Sequence, residues 1–77
     1  MHQQVQLEPG VVLHIGGEAS VQFDGARALT FRLIRVDQRS TYDGWLWLEG
    51  YVLDPNGVAV QRRRIFVRQD GLRPAIG

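Results

Sequence analysis

The sequence contains no cysteine and no lysine, only three prolines and two histidines, and no apolar run longer than a few residues, such as Val11 to Leu13. Without cysteine there are no disulfides, thiolate metal sites or cysteine nucleophiles, so stability must come from packing. The apolar runs fall far short of the ~20 residues that span a bilayer, and the opening residues lack a basic region followed by an apolar block. The expectation is a soluble cytoplasmic protein without a membrane partner. Two scattered histidines do not supply the ligand spacing that zinc requires, so neither a metal nor another cofactor is expected. With lysine absent, all nine basic side chains are arginine. A high-GC bacterial genome produces that bias without selection, yet guanidinium is also the better partner for phosphate, carboxylate and aromatic groups.

What is present fits one domain over residues 1–77, with 44% hydrophobic and 22% charged residues and a net charge of +1. Eight acidic residues are spread from Glu8 to Asp70, so any basic footprint must be local. Helical periodicity is scarce, whereas period-two alternation and turn residues recur throughout. Val11 to Ile15, a loop at Gly16 to Glu18 and Ala19 to Phe23 read as a hairpin in which Leu13 faces Val21, Ile15 faces Ala19 and His14 faces Ser20. Ala28 to Asp37 reads as a strand with a bulge near Leu33, where Ile34 breaks the alternation. Gln38 to Asp43 is a polar connection, and the tail from Gln69 to Gly77 is expected to drape over the end of the fold or fray.

The strongest local signal is a long hairpin: Gly44 to Leu53, the turn Asp54-Pro55-Asn56-Gly57, and Val58 to Arg68. Pairing Asp54 with Val58 sets a register in which Glu49 meets Arg63, Trp47 meets Ile65 and Trp45 meets Val67. Both sides of this ribbon are apolar, one carrying Trp45, Trp47 and Tyr51 and the other Leu46, Leu48 and Phe66. A single flat sheet shelters only one side, and each large side chain left in water forfeits about 1.5 to 3 kcal/mol. The ribbon must therefore bend into a closed wall at Gly50 or bury its second side against a partner.

The stretch Leu7-Glu8-Pro9-Gly10-Val11-Val12-Leu13, followed by a glycine-rich turn and Ala19 to Phe23, resembles the opening of SH3-like small barrels. The resemblance covers the first third of the chain and contains no functional motif. It implies an all-β fold, a small antiparallel β-barrel or strongly curled meander sheet of about five to six strands. The Trp-rich hairpin is longer than that fold usually has, which keeps an OB-like barrel open as the alternative.

Arg62, Arg64 and Arg68 share one side of their strand, while Arg63 points away. They read either as a charged edge that resists aggregation or, joined by Arg39 or Arg32 and with Tyr42 or an exposed Trp for stacking, as a surface for single-stranded nucleic acid. Trp45, Trp47 and Tyr51 fill a core or anchor a protein partner, including a second copy of the chain. Catalysis is not expected, because His14 has no carboxylate to orient it on its local ladder.

Overall fold

A computed structural model describes residues 5–37 and 42–75. These residues form a single antiparallel sheet of five strands, β1 (Val12–Ile15), β2 (Leu29–Asp37), β3 (Trp45–Leu53), β4 (Ala59–Arg68) and β5 (Arg73–Pro74), with no α-helix among them. The strand order is β4-β3-β2-β1-β5. Four strands thus run as a meander, and the fifth returns to the far side of the first. No ladder joins β4 to β5 among the described residues, so the hydrogen-bonded sheet is open.

Alternation in β1 puts Leu13 and Ile15 wholly into the core and leaves His14 exposed. Its partner is β2, through Leu13 opposite Phe31 and Ile15 opposite Leu29, rather than residues 19–23. The expected hairpin is thereby corrected: after Gly16 the chain turns inward, with the Ala19 and Ser20 amides donating to the Gly16 carbonyl at 2.9 and 3.2 Å. Two 3-10 turns follow, at Val21–Phe23 and Gly25–Arg27, and the Ser20 hydroxyl accepts from the Gln22 amide. Ala19 and Phe23 reach the core from this loop, while Val21 is 80% exposed and His14 stands across from Thr30. With β1 paired to β2, Ala19 and Phe23 are left to enter the core from the loop instead of facing β1 across a ladder.

The bulge in β2 is present, with Ile34 skipped between Leu33 and Arg35. Opposite it, Gly50 lies directly beneath Phe31: a Cβ there would sit 2.6 Å from the ring edge and collide with the Arg32 carbonyl. Only glycine allows the two strands to approach this closely, so this position fixes how the sheet bends.

The Asp54 to Gly57 turn forms as expected. The Gly57 amide donates to the Asp54 carbonyl at 2.9 Å, the Asp54 carboxylate accepts from the Asn56 and Val58 amides, and Gly57 takes φ +82°. The register beyond it differs from expectation. Leu53 faces Ala59, but Val52 faces Gln61, so Val60 has no register partner and every later pair moves by one. Glu49 meets Arg64, Trp47 meets Phe66 and Trp45 meets Arg68. The tail is likewise ordered across residues 69–75. A 3-10 turn at Gln69–Gly71 and the buried Leu72 carry the chain to β5, which pairs with Leu13 and His14.

Candidate nucleic-acid interface

The bulge at Val60 decides which side chains share a face. Leu48, Ile65 and Val67 turn toward the core with Phe31 and Leu33, all at most 2% exposed. The opposite face of β2, β3 and β4 collects Trp45, Trp47, Glu49 and Tyr51 together with Arg62, Arg64, Phe66 and Arg68. Of the two roles expected for the indoles, core filling is not observed: they stand outside the core, and Phe66 stands with them instead of with Leu46 and Leu48. The arginine set and the aromatic set, read from sequence as two separate surfaces, occupy one.

On this face the side chains interleave from strand to strand. The Trp45 and Phe66 rings stack with centroids 5.0 Å apart and planes 22° from parallel, and Trp47 lies 5.0 Å from the same Phe66 at a tilt of 37°. The Arg64 guanidinium covers Trp47 at 5.3 Å from its ring centroid, and Arg32 on β2 covers Tyr51 at 5.6 Å. All four rings are half-buried as a result. Each arginine stem adds apolar cover while its charged end stays in water.

Charge is arranged around this row. Glu49 accepts from Arg35 Nε on Oε1 at 2.9 Å and from Arg62 Nε on Oε2 at 2.9 Å, with a second bond from Arg62 Nη2. The expected Glu49 to Arg63 pair does not form, because Arg63 turns to the other face and covers Phe23. Arg64 Nη2 donates to Asp37 at 2.7 Å. The hydrogen bonds from Arg62, and then from Arg35, hold the Glu49 carboxyl below its ordinary range, and Glu49 in turn raises Arg62. Arg32 and Arg68 have no carboxylate partner among the described residues.

Of the remaining expected site residues, Tyr42 is 77% exposed beside the start of β3, and Arg39 lies outside the described residues. Sequence reading missed Arg35 and Phe66 as members of this face, whereas Arg32 joins the β4 arginines as expected. The alternation of β2 carried Arg32, but Arg35 shares its face only through the bulge. Among the described residues no group of three or more His, Asp or Glu side chains could hold a metal ion. No helix among them is long and apolar enough to cross a membrane. The chain matches no family model, no curated protein and no solved structure with significance.

Proposed function

We propose that this protein is a non-catalytic module, built as an SH3-like small barrel, that binds single-stranded nucleic acid on the outer face of β2, β3 and β4. Charge segregation carries the reading. Arg32, Arg35, Arg62, Arg64 and Arg68, five of the nine arginines, stand on this face with only two of the eight carboxylates, Asp37 and Glu49. The chain as a whole has a net charge of only +1, so this face concentrates its positive potential. The surface that complements a row of half-buried rings bordered by guanidinium groups has planar apolar groups and negative charge together. Unpaired bases on a phosphodiester backbone have both, and they stack on arginine planes as well as on rings.

A second copy of the chain would bring one arginine surplus against another, which argues against self-association through this face. The barrel reading draws support from the link between β4 and β5. In a flat sheet these margins would lie about 19 Å apart, at about 4.8 Å per strand. Residues 69–72 join them and include a compact 3-10 turn, so the sheet must curl to bring its margins within reach.

Fluorescence anisotropy with labelled oligo-dT, oligo-rU and a duplex of equal length, titrated from low salt upward, tests the proposal. Single strands are expected to bind, with the logarithm of affinity falling linearly in the logarithm of salt by about 0.7 per phosphate contacted. Replacing Arg62 and Arg64 together by Ala is expected to weaken binding about tenfold and reduce that slope. Failure of all three probes to bind at low salt would overturn the reading. A dimer mass in light scattering that reverts to monomer in Trp45→Ala or Trp47→Ala would put the protein-interaction alternative in its place.

A further inference from the structure

Glu49 occupies the middle of the arginine-rich face and is only 12% exposed. Its register neighbours are Arg35 on one side and Arg64 on the other, and Arg62 reaches it diagonally. Each carboxylate oxygen is taken by a different guanidinium, Oε1 by Arg35 and Oε2 by Arg62. A phosphodiester likewise presents one negative charge over two terminal oxygens, and arginine binds both groups with the same donor fork. Resting on the nucleic-acid reading above, we infer that Glu49 is an internal anion that competes with the ligand's phosphate for Arg35 and Arg62 and thereby sets affinity.

The physical argument concerns what a phosphate must displace. For Arg62 to turn toward a ligand, it must give up a carboxylate that its neighbours have largely removed from water, leaving that charge poorly compensated. Glutamine keeps the shape of Glu49 without the charge, so it frees the guanidinium groups at no such cost. Asp37 accepts from Arg64 at 2.7 Å at the end of the row in the same way.

The test compares the wild-type chain with Glu49→Gln, using oligo-dT anisotropy at low salt and thermal melts with and without inorganic phosphate. The expected result is about three- to tenfold tighter oligo-dT binding by Glu49→Gln, with a salt slope steeper by about 0.7. Inorganic phosphate is expected to raise the melting temperature of Glu49→Gln more than that of the wild type. Should Glu49→Gln melt below the assay temperature, Glu49→Thr, a strand-favouring residue of no charge, replaces it in both measurements. Equal or weaker oligo-dT binding by the variant overturns the inference and leaves the nucleic-acid reading standing, because Glu49 would then only position its arginines. If neither protein binds oligo-dT but phosphate selectively protects the variant, the internal-anion inference survives and the nucleic-acid reading fails. Absence of both effects removes both.

Discussion

The inner and outer faces of the β3–β4 ribbon are built by the same two strands yet are sheltered by different means. Inside, Leu48, Ile65 and Val67 are covered by other parts of the chain, among them Phe31, Phe23 from the 16–28 loop and Leu72 from the tail. Outside, the row of Trp45, Phe66, Trp47 and Tyr51 draws cover from its own rings and from Arg64 and Arg32 on the same face. Rings stand against rings, and arginine stems close the gaps, so an apolar face becomes tolerable in water without a second layer. The demand for a second burial is met by side chains of the same sheet face. Under the proposed function the ligand takes the outer face, because the inner face centres on the buried Leu48, Ile65 and Val67 while the outer face keeps half-buried rings and exposed guanidinium groups.

The comparison can be broken most severely at Gly50, where the inner face sets the bend that both faces depend on. Gly50→Ala drives a Cβ into the Phe31 ring and the Arg32 backbone, and is expected to cost about 4 kcal/mol or more, leaving a domain of this size largely unfolded in a thermal melt. Next comes a direct contrast of the faces by denaturant unfolding. Leu48→Ala, at 0% exposure, is expected to lose about 2 to 5 kcal/mol. Phe66→Ala on the outer row is expected to lose about 1 to 2 kcal/mol, since that ring is only half-buried. Equal losses would mean that the outer row is as fully packed as a core.

Arg64→Ala sharpens the contrast further. Its salt bridge to Asp37 is at the surface and contributes little, so the expected loss is about 0.5 to 1 kcal/mol. Trp47 loses its guanidinium cover, however, and the tryptophan emission maximum should move to the red. An unchanged spectrum would show that Arg64 does not shelter the indole.

The smallest effect is one of pH. The Glu49 carboxyl titrates below its ordinary value of 4.5, first because of its hydrogen bonds from Arg62 and then because of Arg35. A depressed folded value means that its contribution is complete above the unfolded value and is lost as pH falls through the folded one. Melting temperature is therefore expected to drop on acidification below about 4.5, and Glu49→Gln should show a shallower drop over that range. Identical acid profiles would mean that the two arginines give Glu49 no stabilising role.

Much of the fold was legible because its signals are local. The Asp54 to Gly57 turn follows from an Asp carboxylate that caps two amides and a glycine at positive φ, and the β2 bulge follows from Ile34 interrupting an alternation. Residues 19–23 misled for the opposite reason: which segment pairs with β1 is decided by contact with β2, more distant in the chain, and not by local alternation. The grouping of Arg62, Arg64 and Arg68 on one side of β4 was likewise available from parity alone.

Which aromatic residues those arginines join was not available, because one unpaired residue at Val60 reverses the facing of β4 relative to β3. Strand alternation has a period of two, so a bulge exchanges the two faces at almost no cost in local sequence signal. The sequence by itself determined an all-β chain, its long hairpin turn and the parity of its charged side chains, since these depend on neighbours a few residues apart. Only the tertiary structure decided that the arginines and the rings share a face, that Glu49 stands between Arg35 and Arg62, and that the tail returns to β1. Those outcomes depend on register between segments distant in the chain, which a period-two alternation leaves open by one residue.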